Sequence, residues 1–185
     1  MESEERAPAP GELGLVEAFV NTLSIEKRTD ELDSPSSLRS WLVEHGLIAP
    51  GDAIEEEDVN TAREVREALR ALLIANNGGP HDESAAAVLE ATSERAQMRL
   101  RFDEESVARL EPGAPGVRAA LGRLIAIVFE AMREGSWWRL KACRNEGCRW
   151  AFYDASKNRR GTWCSMATCG NRAKTLAYYR RHRKG

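Results

Sequence analysis

The stretch CRNEGCRWAFYDASKNRRGTWCSMATCGNRAK, residues 143–174, holds every cysteine of the 185-residue chain. The cysteines form two pairs with four residues inside each pair, and fifteen residues separate the pairs. Two close pairs on either side of a loop are typical of a tetrahedral zinc site. The sequence therefore predicts one structural Zn²⁺ ion, held by Cys143, Cys148, Cys164 and Cys169.

The size of this segment supports a metal. About 45 residues bury too little apolar surface for a stable fold, and metal ligation supplies the missing free energy. Four thiolates leave no open position for a substrate water, so the predicted role is structural. Two disulfides would need an oxidising compartment, and an iron–sulfur cluster also takes four cysteines. Both stay open as alternatives, and zinc is the favoured prediction.

The local pattern predicts a hairpin and a helix around the cysteines. Residues 149–154 alternate like a strand, and residues 161–164 are expected to return beside them. Cys169 begins a predicted helix, in which Leu176 and the alanines beside it form an apolar side suited to packing on the hairpin. The predicted fold of residues 139–185 is a treble-clef-like or ribbon-like four-cysteine zinc finger that ends in a basic helix.

Positive charge is concentrated in the same segment. Residues 139–185 contain 13 lysines and arginines against two acidic residues, a net charge of +11, whereas residues 1–138 have a net charge of −13. An acidic body with a basic tail indicates a separate module that binds polyanions. Arg172 has a structural alternative, in which it reaches a hairpin carbonyl or the zinc–thiolate centre. The predicted nucleic-acid-binding residues are Lys157, Arg159, Arg160, Asn171, Arg172, Lys174, Tyr178 and Arg181.

The rest of the chain predicts a mostly helical domain with one small β-hairpin, so the predicted fold class is α+β. Residues 1–11 predict a disordered leader, and residues 12–135 predict the acidic, mostly helical domain. Five segments have the 3.6-residue spacing of helices with one buried face. They begin near Leu13, Pro35, Val59, Glu83 and Val117.

Two apolar groups lie outside these helices. Met98, Leu100 and Phe102 alternate with arginines, which predicts a strand with a hairpin partner around residues 107–110. A tryptophan pair, residues 137–138, precedes the zinc finger. Packing of the two units against each other is the favoured role of this pair, and a stacking surface for bases is the alternative.

The cysteine segment closely resembles the CGNR zinc finger, a family named after the four letters found here at residues 169–172. The four cysteines, the FYD strand, Trp163 and the CSM step after it match in place. In the bacterial proteins described as putative stress-induced transcription regulators, this finger follows an N-terminal domain called ABATE. The resemblance implies bound zinc, DNA binding and a regulatory N-terminal domain.

The first 135 residues resemble the ABATE domain. The segment EAFVNTL keeps the Phe-Val-Asn-Thr run of its opening but has Ala18 where the family has an acid. Asn21 and Thr22 have two interpretations: they line a pocket, or they hydrogen-bond neighbouring backbone. Backbone hydrogen bonding is the favoured one.

These observations together predict a DNA-binding transcription regulator of the stress response. Its zinc finger contacts duplex DNA, and its N-terminal domain senses an unidentified small-molecule effector or forms a homodimer. The alternatives are an RNA-binding protein, in which Trp163, Tyr178 and Tyr179 stack on unpaired bases, and a zinc-stabilised protein-interaction module.

Other functions find no support in the sequence. The three histidines are scattered, and the chain has no phosphate loop and no nucleophile elbow, so we expect no enzyme and assign no catalytic residue. The first residues lack the basic start and apolar stretch of a secretory signal, and the run LIAIVF is too short to cross a bilayer. We therefore expect a cytoplasmic protein without a membrane partner.

Overall fold

The computed structural model of the chain describes residues 6–182, apart from the side chains of Ala177, Arg180 and Arg181. The described part contains six α-helices, two short helical turns (Trp137–Arg139 and Met166–Gly170) and three two-stranded antiparallel sheets. The helices are α1 (Leu13–Asn21), α2 (Pro35–Glu44), α3 (Glu56–Asn76), α4 (Glu83–Arg95), α5 (Gly116–Glu134) and α6 (Asn171–His182). The strands are β1 (Leu23–Ser24), β2 (Thr29–Asp30), β3 (Arg99–Phe102), β4 (Ala108–Glu111), β5 (Leu140–Ala142) and β6 (Ala151–Tyr153). Among the described residues, no helix has the length and apolar character needed to span a membrane.

Local signals place the helix ends. The Ser34 side chain accepts a hydrogen bond from the Ser37 amide at 3.2 Å, and Pro35 occupies the first position of α2, where no partner for its nitrogen is needed. Gly135 ends α5 in the left-handed conformation, with φ of +79°. The predicted α+β fold with mainly helical N-terminal residues is confirmed.

One hydrophobic core joins the helices to the zinc finger. It contains buried residues of α1, α2, α3 and α5, such as Phe19, Leu69 and Leu124, and it continues into β5 and β6 through Leu140 and Ala151. Trp137 belongs to the same core with 1% of its surface exposed, whereas Trp138 is 52% exposed. The predicted packing role therefore holds for the first tryptophan of the pair only.

The finger hairpin pairs differently from the prediction. β6 pairs with β5, which lies before the first cysteine, in the register Leu140↔Tyr153 and Ala142↔Ala151. The predicted returning strand over residues 161–164 is wrong, since these residues form no strand. Their backbone groups have other partners. The Gly161 amide donates to the Asp154 carboxylate, and the Thr162 carbonyl accepts from the side chain of Asn77, which follows α3.

The β3–β4 hairpin has the predicted position but little burial. Leu100 is 60% exposed and Phe102 is 67% exposed, so their alternation with arginines identifies a strand without a core behind it. A further short hairpin, β1–β2, follows α1 and is not among the predicted elements.

Residues 6–11 differ from the predicted disordered leader. Ala9 is buried, and its amide donates a 2.6 Å hydrogen bond to the Glu17 carboxylate. The Arg6 guanidinium lies 4.5 Å from the centre of the Phe152 ring and 3.6 Å from Asp154. This segment therefore covers part of the zinc finger. The leader prediction for residues 1–5 lies outside the described residues.

Candidate metal centre and nucleic-acid interface

The four cysteine sulfurs converge at one point. All four Sγ atoms lie within 4.8 Å of one another, with Cys148 to Cys164 at 3.6 Å and Cys164 to Cys169 at 3.8 Å. Tetrahedral zinc with Zn–S bonds of about 2.3 Å requires S–S separations of about 3.8 Å. Three of the cysteines are buried and Cys164 is half-buried. The donor set and its spacing fit zinc, and the finger holds one structural zinc ion.

Two different local structures present the ligands. Cys143 and Cys148 lie at the two ends of the turn that joins β5 to β6, where the Cys143 amide donates to the Trp150 carbonyl at 2.9 Å. Cys169 lies in a π-helical turn, Met166–Gly170, that leads directly into α6. The metal therefore connects the hairpin to the helix.

The electrostatics of the cluster favour a bound cation. Hydrogen bonds from Cys148 and Cys164 lower the pKa of the Cys143 thiol to about 2. The same contact raises the pKa of Cys148 to about 12, and the pKa of Cys164 rises as well. Thiols this close cannot all ionise by themselves, and a divalent cation supplies the charge that stabilises four thiolates. The Asn145 side-chain amide adds a weak hydrogen bond to the Cys169 sulfur at 3.5 Å.

Gly170, the second letter of the CGNR segment, lies in a crowded position. A Cβ atom placed on it would be 2.8 Å from the Met166 side chain and 3.3 Å from the Trp163 ring. A larger residue there would require the flexible Met166 side chain to move and would press against the Trp163 ring.

The last two letters of the segment have protein partners. The Asn171 side-chain amide donates to the Ala167 carbonyl at 3.1 Å. Arg172 Nη1 lies 2.7 Å from Glu26 Oε1, and this ion pair raises the pKa of Arg172. Glu26 lies in the turn between β1 and β2, so the contact crosses from the helical domain to the finger. A carboxylate is a partner that the sequence interpretation of Arg172 did not include.

The loop after β6 carries three of the predicted contact residues, and Lys157, Arg159 and Arg160 are all exposed. Its backbone is held by a buried ion pair. Lys141 Nζ donates to Asp154 Oδ2 at 2.8 Å and to the Arg159 carbonyl at 2.6 Å. Burial alone would raise the pKa of Asp154, but the hydrogen bonds from Lys141, Ser156 and Gly161 outweigh it and hold the pKa below its usual range. The loop therefore presents its cations from an ordered backbone.

Helix α6, the last element of the finger, carries the other predicted contact residues. Asn171, Lys174 and Tyr178 are exposed, and their spacing places them along one side of the helix. The Arg181 side chain lies outside the described residues. Leu176 is 58% exposed, so the predicted packing of an apolar side on the hairpin is wrong. The helix contacts mainly the π-helical turn before it, and its sides remain accessible.

Three asparagine side chains hold the finger against the helical domain. Asn21 donates to the Ala151 carbonyl at 3.0 Å and accepts from the Ala151 amide at 2.7 Å, so it pairs with the free edge of β6. Asn76 donates to the carbonyls of Trp137 and Leu140. The favoured interpretation, a hydrogen bond to neighbouring backbone, is confirmed for Thr22, whose hydroxyl donates to the Phe19 carbonyl at 2.8 Å. Asn21 instead bonds backbone of the finger, 130 positions away.

The end of α3 makes the most buried of these contacts. Asn77 donates to the Ala142 carbonyl at 2.8 Å and the Thr162 carbonyl at 2.9 Å. Arg70 links the Val20 and Arg149 carbonyls in the same region. Sequence analysis missed these residues, because two adjacent asparagines before two glycines also fit an ordinary helix end.

Comparisons with known proteins agree with this two-part architecture. Residues 13–135 match the ABATE family, whose description is "Putative stress-induced transcription regulator". Residues 139–182 match the CGNR zinc finger. No curated protein matches the chain. The ABATE match covers well over half of the chain, so the chain belongs to the ABATE family, and it carries a CGNR zinc finger after that domain.

Proposed function

We propose that the protein is a transcription regulator whose zinc finger binds duplex DNA and whose residues 12–135 form the regulatory domain. One observation carries the DNA part of this proposal: α6 is exposed and is joined at its first turn to the zinc centre. Its twelve residues include no acid, although the domain before it is strongly acidic. A helix of this kind has the size and charge that the major groove accepts.

The finger offers two groups of cations to DNA. The exposed loop residues Lys157, Arg159 and Arg160 would contact phosphates, which position a protein on the duplex. Along α6, the exposed Asn171 and Lys174 would contact base edges or phosphates. Both groups belong to the same zinc-stabilised unit, and a duplex that contacts both would be held by two sets of cations.

The helical domain contains a cavity large enough for a small-molecule effector. A cavity of about 460 Å³ lies between the first turns of α3 and α5 and the last turn of α4. Its lining combines acids such as Glu57 and Asp58 with the arginines Arg95 and Arg118. Cavities of roughly 300–1,000 Å³ are typical of small-molecule sites. The proposal also includes effector sensing through this cavity, a homodimer and a cytoplasmic location.

The test is a salt titration of the full-length, zinc-loaded protein with fluorescent duplex DNA, measured by anisotropy. We expect the logarithm of affinity to fall linearly with the logarithm of salt concentration, with a slope of about −0.9 for each phosphate contacted. Lys174→Ala should weaken binding, whereas Arg101→Ala, at an exposed position of β3 in the helical domain, serves as the matched control. A folded, zinc-loaded protein without salt-dependent affinity for DNA would refute the proposal.

RNA binding is a second candidate, because Tyr178 and Tyr179 are both exposed and their rings lie 5.9 Å apart. Exposed aromatic rings are typical platforms for unpaired bases. Single-stranded RNA at matched salt distinguishes the two candidates. Much tighter binding to RNA than to duplex DNA would favour the RNA-binding function.

A further inference from the structure

The β1–β2 hairpin is firmly anchored at its base. Arg66, which is almost completely buried, donates to both carboxylate oxygens of Asp30, at 2.5 and 3.0 Å. The Glu31 amide donates to the Thr22 carbonyl at 2.8 Å. A buried, two-point arginine–carboxylate contact holds both groups in one orientation. The turn at the other end of the hairpin therefore has a defined position.

That turn lies beside the first turn of α6. Glu26 Oε1 is 2.7 Å from Arg172 Nη1, and Arg172 is the second residue of the helix. Lys27 and Arg28 follow Glu26 directly, and successive Cα atoms are about 3.8 Å apart. The three residues thus belong to one short loop that meets the helix start. Both cations of this loop are exposed.

The charge of this loop is opposite to that of its domain. Residues 1–138 carry a net charge of −13, yet the loop that contacts α6 presents two adjacent cations. Within the described part of the chain, neither Lys27 nor Arg28 has an ion-pair partner, whereas the nearby Arg63 and Arg66 both contact Asp30. Two unpaired cations next to a basic helix extend its positive surface.

The backbone at Arg28 carries strain. Its φ angle is +56°, in the left-handed region that glycine adopts readily and other residues rarely adopt. Strained residues of this kind are often found at functional sites, where the side chain is needed in that position. Four other described non-glycine residues also have a positive φ, so the angle defines the shape of the turn, in which the Arg28 side chain is exposed.

We propose that the β1–β2 turn forms a second part of the DNA interface, in which Lys27 and Arg28 contact backbone phosphates beside the groove that α6 enters. This inference rests on the proposed function of the finger. The major groove is about 12 Å wide, so a loop at the N-terminal end of a helix in the groove meets the flanking phosphates. The helical domain then contributes directly to DNA affinity.

The experiment compares two double variants of the full-length, zinc-loaded protein by the same salt titration with duplex DNA. In Lys27→Ala/Arg28→Ala we expect the slope to become shallower by about 1.8, because two phosphate contacts are lost. Affinity at 0.1 M salt should fall by about one order of magnitude for each lost contact. The control, Arg101→Ala/Arg133→Ala, removes the same charge from exposed positions of β3 and α5.

A single variant separates a binding role from a structural one. Arg28→Gly removes the cation and also relieves the left-handed backbone, so the thermal unfolding temperature should stay the same or rise. DNA affinity should nevertheless fall. A loss of stability together with a loss of affinity would assign Arg28 a structural role and overturn the inference.

The outcomes distinguish this inference from the proposed function. If the wild-type protein shows no salt-dependent DNA affinity, the proposed function itself fails. If the wild type binds DNA and both double variants behave alike, the finger binds DNA without the β1–β2 turn, and this inference is wrong. A loss confined to single-stranded RNA binding would also overturn it.

Discussion

The two halves of the zinc finger have opposite environments. The hairpin half, β5 and β6, is buried against α1 and α3 and shares their hydrophobic core. The helix half, α6, is exposed and contacts mainly the turn that carries Cys169. One metal ion joins them. The comparison shows that the buried half contributes to the stability of the whole protein, whereas the exposed half is available to a partner.

The contrast also shows that the finger is not structurally independent of the domain before it. Residues 139–182 match a family of their own, yet the hairpin within them completes the core of the preceding domain. Polar side chains of the helical domain occupy the hairpin's free backbone groups. The following predictions test the division between the two halves.

Loss of the metal should have the largest effect. Structural zinc contributes an apparent free energy of about 10–16 kcal/mol in finger peptides, so Cys143→Ser should lower the thermal unfolding temperature of the entire chain. Thr168→Ala, an exposed change near another ligand, is the control. Calorimetry with zinc and with a chelator measures the effect. An unchanged main transition after zinc removal would show that the hairpin is held without the metal.

The next largest effect should come from the buried ion pair of the hairpin half. Asp154→Asn leaves the Lys141 ammonium buried without its counter-charge, and breaking such a pair costs about 3–5 kcal/mol. Urea unfolding at neutral pH measures this loss. Arg133→Ala, which breaks an exposed pair with Glu130, should change the free energy of unfolding by less than about 1 kcal/mol.

The stability contributed by Asp154 should also depend on pH. The pKa of Asp154 is lower in the folded state than its unfolded value of about 3.9. Its contribution is therefore present above about pH 4 and is lost as the pH falls through the folded pKa. The difference in unfolding free energy between wild type and Asp154→Asn should shrink below pH 4. Acid effects on the cysteines are common to both proteins and cancel, so a constant difference would contradict the prediction.

A smaller effect is expected where the helical domain contacts the hairpin half of the finger. Asn77→Ala leaves the Ala142 carbonyl without its donor and the Thr162 carbonyl with only the Arg144 amide, and a buried unsatisfied group costs about 1–3 kcal/mol. Chemical unfolding should show this loss, with Asn171→Ala on the exposed helix as the matched asparagine control. If both substitutions lowered the free energy of unfolding equally, the buried contact of Asn77 would contribute no more to stability than an exposed residue of α6.

The smallest effect is expected in the exposed half. Leu176→Ala should change the free energy of unfolding by less than about 0.5 kcal/mol, because most of the side chain already contacts solvent. Leu42→Ala, in the core, should cost about 2–5 kcal/mol by comparison. A loss at Leu176 close to that of Leu42 would mean that α6 packs on the protein in solution.

Short-range signals account for what could be predicted. The spacing of the cysteines identified the zinc ligands, and the Ser34–Pro35 start and Gly135 end were visible in the sequence. The alternation of Leu100 and Phe102 located β3 but not its exposure, since burial depends on which element lies opposite. The β1–β2 hairpin has strands of only two residues, too short to produce a period.

By itself, the sequence determined the helices, the zinc ligands and the separation of acidic and basic charge, because each depends on residues close together in the chain. The tertiary structure decided that β6 pairs with β5, that Asn21 and Asn77 serve the finger, and that Glu26 meets Arg172. These contacts join residues up to 146 positions apart. Such partners are selected when apolar surfaces and unpaired backbone groups are buried together, and no local pattern specifies which distant segment will supply them.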